Sequence, residues 1–187
     1  MQKTTLILLS SLFLYSCNAG PPAPAVVENS TPTVGGTATE AANASAPTAT
    51  DSPQTGRLQR IVEDILERTN AERVNRNLPA LNLNTQLALA AQTHADDMAR
   101  NKFLSHTGSD DSKLRDRIER VGYDWSAIAE NVAYNQASAE AVVTSWMESP
   151  GHRENILKTE VAEIGIGYAT TANGEPYYVQ VFGKSFE

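Results

Sequence analysis

Apolar and polar positions change their rhythm at about residue 56. Beyond it Leu58, Ile61, Val62, Ile65, Leu66, Thr69 and Val74 recur mostly at three- and four-residue steps, which predicts an amphipathic helix over about 57–76. Asn77-Leu78-Pro79 ends it, because a proline drives the preceding residue out of helical space. Thr85 is placed to cap a second helix reaching about Asn101, with Leu87, Ala91, His94, Ala95 and Met98 on one stripe. Alanines at 88, 90, 91, 95 and 99 keep that helix slim, so another element can approach closely. A third helix is predicted over 112–120, in step at Leu114, Ile118 and Val121 and stopped by Gly122. A fourth, over 139–147, carries Val142, Val143 and Trp146.

The C-terminal third follows a period of two. Residues 162–169 alternate like a strand, Asn173-Gly174 marks a turn, and 177–182 returns as a second strand. Residues 131–134 read as a third. Helices followed by a small antiparallel sheet define an α+β layered domain from about Leu58 to Phe186.

The N-terminal part has a different character. After Lys3, the apolar run 4–14 falls well short of the roughly 20 residues of a membrane-spanning helix, so it reads as the core of a signal peptide. Leu14-Tyr15-Ser16-Cys17 resembles the bacterial lipobox, which implies a lipoprotein-type signal peptide over 1–16 and a lipid on Cys17. The alternative is ordinary cleavage after Ala19 and secretion. Residues 17–56 hold six of the nine prolines and no aromatic residue; such a stretch buries too little apolar surface to offset its ordering entropy. It is expected to be a disordered Pro/Ala/Thr-rich linker, leaving 57–187 as the folded domain.

Cys17 is the single cysteine, so the folded part contains no disulfide and must be held by core burial. The formal charge of −7 is spread along the chain, and no basic face of the kind nucleic-acid binding requires is present.

Candidate chemistry is sparse. Of three histidines, His94 sits on the apolar stripe of the second helix and reads as a packing residue. His106 lies just past a helix end. His152 follows the Pro150-Gly151 turn and opens a short helix, where the helix dipole and Arg153 both disfavour the imidazolium. A neutral imidazole is the form that binds a metal or accepts a proton. Glu130 precedes a candidate strand. Arg115, Asp116, Arg117, Glu119 and Arg120 mix both signs and read as a solvated helix face. The tyrosines at 134, 168, 177 and 178 suit either a groove or strand packing.

Several motifs, in order, resemble the bacterial branch of the CAP (SCP-like) superfamily. They are Thr69-Asn70-Ala71-Glu72-Arg73, His94-Ala95-Asp96-Asp97-Met98-Ala99, Phe103-Leu104-Ser105-His106-Thr107 and Ala129-Glu130-Asn131-Val132-Ala133. Trp146 through Leu157, Glu163-Ile164-Gly165-Ile166-Gly167-Tyr168 and Tyr178-Val179-Gln180-Val181-Phe182-Gly183 complete the set. The resemblance implies an α-β-α sandwich with a small antiparallel sheet between helices. It also implies a cleft that gathers His106, Glu130 and His152, with Glu148 or Glu163 as a fourth member. Ala129 stands where the family usually has glycine.

Two imidazoles and one or two carboxylates suit a divalent cation, and two histidines and a carboxylate with an open position match the donor set of zinc hydrolases. The resemblance implies zinc or calcium at or near this cleft. Two functions are therefore weighed. One is a membrane-tethered binding module for an extracellular lipid, glycan or wall component. The other is a metal-dependent hydrolase of peptide or cell-wall bonds with Glu130 as base. A glycosidase using Glu130 and Glu148 is a third.

Overall fold

The computed structural model describes residues 53–186. The expected signal peptide, Cys17 and nearly all of the expected linker lie outside the described residues. The elements in order are α1 (Pro53–Val74), β1 (Asn82–Leu83), α2 (Thr85–Asn101), α3 (Leu114–Arg120), β2 (Trp125–Tyr134), α4 (Ala139–Glu148), α5 (Pro150–Ile156), β3 (Glu163–Thr170) and β4 (Pro176–Ser185). No helix among them is long and apolar enough to cross a membrane.

The strands order as β1-β3-β4-β2. The β2–β4 and β3–β4 pairs are antiparallel, as expected, but β1 joins the edge parallel to β3, so the sheet is mixed. Two residues leave no periodicity to read, which is why β1 was invisible to the pattern. Strand β2 starts six residues earlier than expected, and Glu130 lies within it, paired with Val181. Helix α1 begins four residues before position 57, inside the expected linker, and ends at Val74, with Asn77 at φ 59° closing the turn. Helix α3 starts at Leu114 instead of 112. The cap of α2 is Asn84, whose side chain accepts from the N–H groups of Gln86 and Leu87; Thr85 is the first helical residue.

Helices cover both faces of the sheet. Along β4, Tyr178 and Phe182 enter the core beneath α1, α4 and α5, while Tyr177, Val179 and Val181 enter the core beneath α2 and α3. Alternation decides this, since successive strand side chains point to opposite faces. On the α2 face Gly165 and Gly167 let the helix descend onto β3. A Cβ on Gly165 would stand 2.0 Å from the Leu87 carbonyl carbon, and one on Gly167 would stand 2.3 Å from the Ala91 oxygen. Trp146 anchors the opposite core at 1% exposure, its indole N–H donating to the Val132 carbonyl. The tyrosines pack in pairs, Tyr134 with Tyr177 and Tyr168 with Tyr178, so strand packing accounts for them.

Arg73 is a buried peg. It continues the Ile65, Thr69 stripe of α1 and is fully buried. Its guanidinium donates to the carbonyls of Pro79, Ile156 and Lys158 at 2.8–2.9 Å, tying the loops that flank α1 and α5.

Candidate functional site

The site is built at β2, the long edge strand of the sheet. An edge strand presents unpaired backbone groups that must be covered. Here α5 covers them: Asn155 donates to the Glu130 carbonyl at 3.0 Å and to Asn131 Oδ1 at 2.9 Å, and Asn131 Nδ2 donates to the His152 carbonyl at 3.1 Å. Inward, Asn131 Nδ2 also donates to Gln180 Oε1, and Gln180 donates to Thr69 Oγ1 at 2.8 Å. Asn131 therefore lashes α5 to the edge and, through Gln180, the sheet to α1.

Glu130 points to the other face, toward α3 and the loop after α2. Its side chain is 3% exposed, not a solvated strand end. Arg117 donates to Oε2 at 2.7 Å and is itself 5% exposed, which corrects its reading as part of a solvated helix face. Arg117 also donates to the carbonyls of Ser112 and His106. The second carboxylate oxygen, Oε1, accepts from His106 Nδ1 at 2.8 Å, and the His106 side chain is 58% exposed. A buried ion pair thus holds an imidazole that faces solvent. The bond to Glu130 raises the His106 pKa above its ordinary value. It also assigns the proton to Nδ1, leaving Nε2 as the nitrogen open to a ligand.

His152, the third residue of α5, is half-buried and makes no side-chain hydrogen bond among the described residues. Its pKa is lowered, first by burial and then by the charge of His106. The direction is the one expected, and Arg153 turns back to the Met147 carbonyl. The two imidazoles are close enough to feel each other's charge across the edge of β2. Glu148 ends α4 exposed, with no ion pair or hydrogen bond among the described residues. Glu163 is engaged elsewhere: it accepts from Asn84 Nδ2 at 2.8 Å and from the Tyr123 hydroxyl at 2.5 Å. That bond, after burial, drives the tyrosine pKa far above its ordinary value. Ala129 is accommodated in ordinary extended backbone, outside the positive-φ region.

Among the described residues no group of three His, Cys, Asp or Glu side chains is arranged to hold a metal ion. The reason is visible in the donors. Glu130 is buried, with one oxygen against a guanidinium and the other on His106, so the two imidazoles are the donors nearer to solvent. A hollow of about 930 Å³ lies between the start of α1 and the ends of α2 and β3, and none of the three residues lines it.

Arg117, Asn131, Asn155 and Gln180 were missed as site residues. The available signal was polar type inside apolar pattern: Asn131 before Val132-Ala133, and Gln180 between Val179 and Val181, on strands buried on both faces.

Fold and site together define a three-layer domain with a histidine–glutamate pair at its sheet edge. The sequence matches the cysteine-rich secretory protein family, CAP, over residues 66–182, and the chain belongs to that family. It is 34% identical over 122 residues to the uncharacterized membrane protein YlbC of Bacillus subtilis and 32% identical over 120 residues to that organism's uncharacterized protein YkwD. Those matches cover 65% and 64% of this chain but only 34% and 46% of the relatives' lengths. Among solved structures, an extracellular protein of Bacillus anthracis containing an SCP domain superposes with a TM-score of 0.64 at 28% identity, covering 75% of this chain and 45% of its own. An outer surface protein of Borrelia burgdorferi superposes with a TM-score of 0.65 at 23% identity, covering 68% of this chain and 95% of its own, a likeness of fold.

Proposed function

We propose that this chain is an exported, lipid-anchored binding module, tethered through Cys17 and residues 17–56. Its folded domain captures an extracellular lipid, glycan or wall component at the His106–Glu130–His152 cluster. Export is supported by the signal-peptide pattern and by the relatives described as extracellular and outer-surface proteins.

The observation that carries the binding reading is the pairing of Glu130. A hydrolase needs a base within hydrogen-bond reach of the proton it takes, and a side chain only 3% exposed offers little such reach. Glu130 instead spends one oxygen on Arg117 and the other on orienting His106. That is the outer-shell role of a carboxylate behind a ligating histidine. A divalent cation at this cluster rests on His106 and His152, with the captured ligand's own oxygens completing its shell. Imidazole nitrogens suit zinc better than calcium, which takes six to eight oxygens.

The test is calorimetric titration of the full chain with zinc, alongside co-sedimentation with lipid vesicles and with wall fragments and an assay for hydrolysis of both peptide and wall substrates. The expected result is weak zinc uptake and retention on one of the two surfaces, both lost in His106→Ala and in His152→Ala, without turnover. Turnover abolished by both substitutions would establish the hydrolase instead. Retention untouched by either would remove the cluster from function.

A further inference from the structure

The hollow of about 930 Å³ between α1, α2 and β3 is within the range of small-molecule sites, about 300–1,000 Å³. Its lining is cationic, in a chain whose formal charge is −7. Arg57, Arg100 and Lys102 line it, together with one carboxylate, Asp96. All three cations are exposed, and none makes an ion pair or a side-chain hydrogen bond among the described residues. Asp96 already accepts from Gln92 Nε2 at 3.0 Å.

Lys102 sits where a lysine is unfavourable. It caps α2 in the left-handed conformation, φ 56° and ψ 49°, its N–H donating to the Met98 carbonyl. Glycine is the usual residue at such a cap, because any other side chain crowds the backbone there. A lysine gives up that stability and puts a charge on the lining of the hollow. One wall is braced: Gln92 Oε1 accepts from the Tyr168 N–H at 3.1 Å and its Nε2 donates to the Tyr168 carbonyl at 2.9 Å. Tyr168 and Leu58, both half-buried, supply apolar surface, and Tyr168 packs on Tyr178 with ring centres 5.2 Å apart. Burial pushes the Tyr178 pKa up to about 12 and the Arg57 charge opposes the rise, which sets that guanidinium on the tyrosine side. Two guanidiniums and an ammonium without counter-charge suit a polyvalent oxyanion, since the guanidinium fork matches phosphate oxygens. A bare phosphate is only a few times the size of a water, about 30 Å³, so an organic body has room beside it.

We propose that this hollow is a second ligand site, taking an organic phosphate, with Arg57, Arg100 and Lys102 around the phosphate and Leu58 and Tyr168 beside the organic body. It is independent of the His106 cluster, so either can fail while the other stands. A phospholipid headgroup and a soluble or polymer-borne phosphate ester share this chemistry, and the choice of probe separates them.

The test is calorimetric titration of the full chain, at about 0.05 M salt, with glycerol 3-phosphate and, separately, with a short-chain phosphatidylglycerol kept monomeric. Inorganic phosphate and glycerol are titrated alongside. The expected result is saturable binding of a phosphate ester at a Kd of about 0.1 mM, about tenfold weaker binding of inorganic phosphate, and none of glycerol. Tighter binding of the lipid supports a membrane headgroup as the natural source; tighter binding of glycerol 3-phosphate supports a soluble or polymer-borne ester. Arg57→Gln and Arg100→Gln should each weaken the ester about tenfold, as should about 0.5 M salt. Lys102→Gly is the sharper variant: it should raise the urea midpoint while weakening the ester about tenfold, a split that a purely structural cap would not give. Absence of saturation with both esters, or binding indifferent to Arg100→Gln and Lys102→Gly, would overturn the site. Inorganic phosphate binding as tightly as the esters would overturn the organic body.

Discussion

Arg117→Met is the most demanding test of the buried pair. It keeps most of the side-chain stem and removes three interactions, to Ser112 and His106 carbonyls at 2.9 and 3.2 Å and to Glu130 Oε2 at 2.7 Å. The carboxylate left behind is 3% exposed and retains only His106. Removing one partner of a buried pair costs about 3–5 kcal/mol, because the surviving charge stays uncompensated in a poorly solvated place. Single domains have about 5–15 kcal/mol in all, so this is a large part of the whole. With a urea dependence of about 1–3 kcal/mol per molar, the unfolding midpoint should fall by more than about 1 M. Trp146 fluorescence reports it, since that indole is buried against the sheet. The double variant Arg117→Met/Glu130→Gln removes both charges and should recover part of the loss. A single variant within about 0.5 kcal/mol of the parent, or a double variant no better than the single, would refute the reasoning.

The raised His106 pKa makes its contribution to stability pH-dependent, present in full below the ordinary value of 6.5 and lost as pH climbs through the raised value. The stability gap between parent and His106→Ala should therefore be wider at about pH 5.5 than at about pH 8.5, and a gap constant with pH would contradict the Glu130 bond. Asn155→Ala leaves the Glu130 carbonyl uncovered at the sheet edge and should cost about 1–3 kcal/mol in chemical denaturation. Gly165→Ala or Gly167→Ala drives a methyl into the α2 backbone and should cost about 3 kcal/mol or more, whereas Gly151→Ala, with nothing within 4 Å, should be neutral or stabilise by about 0.5–1 kcal/mol. Cys17→Ser should move the protein from the membrane pellet to the soluble fraction; unchanged fractionation would exclude the lipid anchor.

Periodicity alone placed four helices and the β3–β4 hairpin, because each buries one stripe or one face and that requirement is written locally. It marked the Gly165, Gly167 and alanine complementarity only halfway: slim faces were legible, their meeting was not. Family motifs supplied the His106, Glu130 and His152 set, which no spacing rule would yield from three distant segments. What the tertiary structure alone decided is which charges are buried. Arg117 looks like its neighbours Arg115 and Arg120 on a mixed-sign helix, and only the packing of that helix beside α2 brings its side chain to Glu130 on β2. The same packing takes Glu163 out of the site, leaves Glu148 in solvent, and buries His94 Nδ1 and Arg117 Nε without a hydrogen-bond partner among the described residues. Burial is a property of the assembled layers, so the electrostatics that follow from it could be read only there.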